Sequence, residues 1–130
     1  MRIQRMNMRL GANLRSGGAS FSPASLFADG KEGVWYAPGP STAFQDTAGT
    51  TPAGLGDPVG RINDLSGNGH HATQATAASR PLLQQAGGLR SLNTDGVDDF
   101  LASPDMAVSD NWFVAWVGSF NSYANFFGPW

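Results

Sequence analysis

Cysteine is missing from the chain altogether, so neither a disulfide nor a thiolate metal site can be built. Charge is scarce too: 14% of the residues are Asp, Glu, Lys or Arg, against about a quarter in an ordinary domain. The formal net charge of -2 offers no global attraction to a phosphate backbone, which disfavours nucleic acid as a partner. Glu32 is the one glutamate. A glycosidase sets two carboxylates across a cleft roughly 5–10 Å apart, and the aspartates here fall in turn-like sequence instead. No Gly-x-Ser-x-Gly elbow is present to carry a nucleophile. Gly67-Asn68-Gly69 is too short for a phosphate-binding loop and lacks the lysine that should follow it. No apolar run approaches a membrane-spanning length. The first residues carry arginines without the apolar stretch of a secretory signal. These absences argue against an enzyme and against a membrane protein, and they call for no cofactor.

The chain does have turns. Its 130 residues suit one domain, and Gly 17 with Pro 8 breaks it into short segments. Two stretches organise the rest. Asp64-Leu65-Ser66-Gly67-Asn68-Gly69-His70-His71 is a turn by composition, because Ser and Asn hydrogen-bond nearby backbone and Gly accepts unusual torsions. Val59 to Asn63 before it and Ala72 to Gln74 after it are strand candidates. Asn93-Thr94-Asp95-Gly96-Val97-Asp98-Asp99 repeats the pattern, with Phe100-Leu101 returning to apolar residues. Acidic turns between short strands are the skeleton of a mainly β fold.

Other elements follow the same logic. Ser22-Pro23 is a helix start, and Asp29-Gly30 stops that helix within about two turns. Leu26 and Phe27 are expected to pack on Trp35 and Tyr36. Val34 to Tyr36 and Phe44 to Asp46 are strand candidates, and Thr47 to Pro58 reads as a long loop. Leu82 to Gln84 and Ser91 to Asn93 flank Gly87-Gly88, which predicts a hairpin. Trp112 to Phe120 is the richest stretch in aromatic and β-branched residues and is expected to be the strongest strand.

The pair "DLSGNGHHAT" and "NTDGVDDFL" resembles the opening of a laminin-G-like, concanavalin-type jelly-roll domain. The upstream "SLFADGKEGVWYAP" and "STAFQDTAGTTPAGLGDPVGRIND" are similar to a leader found before such domains in tailed-bacteriophage virion proteins. The resemblance runs from about Ser25 to Phe120. Ala37 departs from it, standing where the leader usually has the Asp of Trp-Tyr-Asp-Pro, so any role of that carboxylate is missing here. The resemblance implies a jelly-roll-like β-sandwich, or the first part of one, over residues 25–130; before it, one-sided charge and the Ser16-Gly17-Gly18-Ala19-Ser20 stretch mark a basic extended arm and linker over 1–24. It implies a structural component of a tailed-phage or phage-like virion, such as a fibre, spike or decoration protein, whose partners are other virion proteins or further copies of itself. The alternative is a carbohydrate-binding module that recognises host surface glycans.

The candidate residues divide by chemistry. Arg2, Arg5, Arg9 and Arg15 are half of the eight basic residues, and no acid precedes Asp29. They read as a solvated terminus, as an arm that meets an acidic surface on a neighbouring subunit or, least favoured, as a basic arm that neutralises nucleic-acid phosphates. Trp112, Trp116, Phe120, Phe126, Phe127 and Trp130 lie in a segment with no charge after Asp110, which makes them interface candidates. Asp95, Asp98 and Asp99 could offer oxygens to Ca²⁺ but lack EF-hand spacing. The competing reading has Asp95 closing its own turn, with Asp98 and Asp99 in solvent or paired with arginines. His70 and His71 are adjacent, and neighbours on a strand point apart, so joint metal binding is awkward. Trp35, Tyr36, Trp112, Trp116 and Trp130 could stack on sugar rings, although such residues more often build the core.

Overall fold

The computed structural model describes residues 21–107 together with 114, 115 and 117. The arm arginines Arg2, Arg5, Arg9 and Arg15 lie outside the described residues, as do the interface candidates Trp112, Trp116, Phe120, Phe126, Phe127 and Trp130.

The described residues form a small β-rich fold with little helix. Three two-residue strands, β1 (Ala43–Phe44), β2 (Arg61–Ile62) and β3 (Ala72–Thr73), make an antiparallel sheet in the order β1-β2-β3. Ala43 and Ala72 both pair with Ile62, and Phe44 and Thr73 with Arg61. The second sheet is the hairpin of β4 (Leu82–Ala86) and β5 (Leu89–Asn93). Gly87 and Gly88 join its strands with φ of 57° and 82°, the left-handed pair that a tight hairpin turn requires. The expected hairpin is therefore present, with strands two residues longer on the turn side than their apolar residues suggest.

The two sheets are sewn together by the end of the Thr47 to Pro58 loop. Gly56 N–H donates to Leu83 O at 2.7 Å, Leu83 N–H to Asp57 O at 3.0 Å, and Val59 N–H to Pro81 O at 2.8 Å. That loop is held by carboxylates. Asp46 accepts the N–H groups of Thr50 and Thr51, and Asp57 Oδ2 accepts Gly54 N–H at 2.9 Å and the Gln45 amide at 3.0 Å. Ala43, Ala53, Val59 and Leu83 form the core beneath, with Leu92 and Leu101 packed against them.

Arg80 locks the junction. Its guanidinium donates to Gln74 O, Gln45 O and Ala75 O at 2.8, 2.9 and 2.9 Å. A planar donor fork can serve several carbonyls at once, which an ammonium on a flexible stem does poorly. Gly60 lets this happen: a Cβ there would lie 2.5 Å from Gln45 O and 3.0 Å from Arg80 Cζ.

Ser22 caps the first helical turns, accepting Ala24 N–H at 3.3 Å, with Pro23 at the first position. The helix is 3-10 and spans Pro23–Gly30, broken at Ala28 and at Asp29, whose φ is 65°. The Phe27 ring lies over Gly33. Val34 to Tyr36 contributes only an isolated bridge, Tyr36 with Asp64.

One strand expectation fails where it can be read. Val114 and Val117 belong to no strand and are 75% and 96% exposed. Strand propensity expresses packing against a neighbour, and no described strand lies beside them. Among the described residues no helix is long and apolar enough to cross a membrane.

Candidate functional site

The Asp64 to His71 stretch is where separate parts of the chain meet. Asp64 is buried, at 7% exposure, which for a charged group demands partners. It has four. Oδ1 accepts the N–H of Trp35 at 3.0 Å and of Ser66 at 2.9 Å. Oδ2 accepts the Ser66 hydroxyl at 2.7 Å and His70 N–H at 3.1 Å. Burial pushes the Asp64 carboxyl up, and these bonds from Trp35, Ser66 and His70 outweigh it, leaving the group below its ordinary value.

The rest of the turn continues the pattern. Asn68 Nδ2 donates to Lys31 O at 3.0 Å and Gly33 O at 2.9 Å. The Ser66 hydroxyl also lies 3.1 Å from Gly33 O and accepts Asn68 N–H at 3.2 Å. Asp64 N–H donates to His71 Nδ1 at 3.0 Å, and Leu65 N–H to Trp35 O at 2.8 Å. The two imidazoles therefore diverge: His71 closes the turn on Asp64, while His70 Nε2 sits 3.1 Å from Glu32 Oε2. The Tyr36 hydroxyl donates to His70 O and lies 3.0 Å from Ser103 Oγ. Burial first, and the nearby Asp64 charge, hold this phenol above its ordinary value despite Ser103.

Chemically this is a clip. The segment from Lys31 to Tyr36 is fastened to the turn by the side chains of Asp64, Ser66 and Asn68. Ser66, His71 and Asp64 are together but do not form a relay, because the Ser66 hydroxyl donates a hydrogen bond to the carboxylate and His71 Nδ1 accepts one from the main chain. The turn itself was legible from Ser66, Asn68 and the glycines. The part of Asp64 was not, since its key partner, Trp35, is a backbone N–H far away in sequence.

The acidic stretch is also drawn together. Asp95, Asp98 and Asp99 each bring a carboxylate oxygen within 4.8 Å of the others. Asp95 Oδ1 accepts Val97 N–H at 2.8 Å and Asp98 N–H at 3.3 Å, closing its own turn as the sequence suggests. These bonds, that from Val97 foremost, hold the Asp95 carboxyl below its ordinary value. Asp99 Oδ2 accepts Asp95 N–H at 2.9 Å. Asp98 is not paired with an arginine among the described residues but accepts the hydroxyl of buried Ser79 at 2.7 Å. Hard oxygen donors of this kind suit Ca²⁺, which takes six to eight of them. The amide and hydroxyl donors already account for the positions of all three side chains. Nothing in the sequence points to the place of Ser79 beside Asp98, and its backbone also accepts Phe100 N–H at 3.2 Å.

Trp35 and Tyr36 are half-buried and join the clip through the Trp35 main chain and the Tyr36 hydroxyl. No protein-family model, no curated protein and no solved structure matches the chain.

Proposed function

We propose that this chain is a structural, non-enzymatic component of a tailed-phage or phage-like virion, a jelly-roll-like β module or the first part of one. One observation supports the reading. The two stretches that resemble the opening of a laminin-G-like domain are both turns in which carboxylates are occupied by hydrogen bonds from the module's own backbone and hydroxyls. Carboxylates occupied in this way hold the two turns in a fixed shape, as a display module requires. In this reading the basic arm with Arg2, Arg5, Arg9 and Arg15 meets acidic surface on other virion proteins. The apolar set Trp112, Trp116, Phe120, Phe126, Phe127 and Trp130 is covered by a neighbouring copy or another virion protein.

The test is location. Peptide mass spectrometry of purified particles should find the chain in fixed ratio to the other virion proteins. Replacing Arg2, Arg5 and Arg9 by Glu should lower its incorporation while circular dichroism of the isolated chain stays the same. Absence from intact particles overturns the proposal. Turnover of a bacterial polysaccharide that vanishes with a single Asp→Asn change would do the same. Tight glycan binding by the isolated chain, without incorporation, favours the carbohydrate-binding alternative.

A further inference from the structure

We propose that Asn68 is a site of spontaneous deamidation, and that its conversion unfastens the segment Lys31 to Gly33 from the turn. The inference stands apart from the virion reading. Asn68-Gly69 is the one Asn-Gly dipeptide in the sequence. Glycine in the second position leaves its backbone nitrogen unshielded by a side chain, and among the described residues the Gly69 N–H makes no hydrogen bond.

The chemistry needs only water. The Gly69 nitrogen attacks Cγ of Asn68, forming a new C–N bond. The Cγ–Nδ2 bond breaks, and the proton lost by Gly69 leaves with Nδ2 as ammonia. The resulting five-membered succinimide takes up one water and opens to aspartate or isoaspartate. Nothing is oxidised or reduced.

What makes the step consequential is the atom that departs. Nδ2 is the donor to both Lys31 O, at 3.0 Å, and Gly33 O, at 2.9 Å. In the product a carboxylate oxygen faces those two carbonyls, acceptor against acceptor, so attraction becomes repulsion. Isoaspartate adds a methylene to the backbone between Ser66 and His70, which are registered on the same Asp64 carboxylate. Either product opens the clip from the Lys31 side. The same two bonds hold the amide away from free rotation, so the folded chain reacts more slowly than an unfolded one. The turn is thus a one-way timer, set by how often the clip opens.

The experiment incubates the full chain and a synthetic peptide of residues 64–73 in parallel at mildly alkaline pH, with isoaspartate-sensitive peptide mapping. Conversion at Asn68 should precede that at every other asparagine and should be slower in the chain than in the peptide. Hydrogen exchange by mass spectrometry is then read separately on converted and unconverted chains of the same sample. The amides of Trp35 and Leu65 should exchange about tenfold faster after conversion, the equivalent of one net hydrogen bond. Asn68→Gln should abolish the conversion and its exchange signature together. An intact Asn68 beside other converted asparagines overturns the proposal, as does conversion that leaves exchange at Trp35 and Leu65 unchanged.

Discussion

The carboxylate of Asp64 receives the backbone N–H of Trp35 at 3.0 Å, across 29 residues of chain. One buried side chain thereby fixes the position of a whole preceding segment, and its loss cannot be made good by water. Asp64→Asn keeps the size but turns an NH₂ toward incoming donors. We expect a loss of about 2 kcal/mol or more, since hydrogen bonds to a charged acceptor are worth about 1.5–3 kcal/mol each. Urea denaturation followed by tryptophan fluorescence measures it, and an unchanged midpoint would sink the idea.

The same carboxylate imposes a pH dependence. Its folded value lies below the ordinary 3.8, so its contribution is complete above 3.8 and is lost as pH falls toward the lowered value. Asp46 and Asp95 are also lowered, mainly by the Thr50 and Val97 amides, and work in the same direction. The denaturation midpoint should therefore hold steady on the neutral side and fall below about pH 4. The profile of Asp64→Asn should be flatter there. Equal slopes for the two proteins would contradict the assignment.

Gly60→Ala tests the junction between the sheets. Its Cβ would stand 2.5 Å from Gln45 O, a backbone atom that cannot swing aside. Overpacking of this sort costs about 1–3 kcal/mol. The expected result is a lower melting temperature, with Arg80→Lys giving a similar loss because three carbonyls forfeit their donors.

Gly87→Asn should do the opposite. Asn tolerates the left-handed torsion found there and restricts the unfolded chain more than glycine does. A gain of about 0.5 kcal/mol is expected, visible as a raised urea midpoint.

How far the sequence speaks for this molecule depends on how far apart the interacting groups are. Gly87-Gly88, Ser22-Pro23 and Asp95-Gly96 act on residues within a few positions, and each reads correctly as a hairpin, a cap and a closed turn. Asp64 and Arg80 act on main-chain groups that carry no side-chain signature, so their partners were invisible. Asp98 illustrates both limits: its clustering and its exposure were plain, yet the hydroxyl it accepts from buried Ser79 was not. Composition also misled at Val114 and Val117, where β-branched residues lie exposed outside any strand.

The clip also sets an order of events during synthesis. The β4–β5 hairpin needs only its own two-residue turn and can close in about 1–10 μs. Lys31 to Tyr36 leaves the ribosome earlier, but it has nothing to hold until Asp64, Ser66 and Asn68 have emerged behind it. Lys31 to Tyr36 thus waits about 30 residues for its partners, and a nascent chain stalled before residue 64 carries Trp35 and Tyr36 without the groups that secure them.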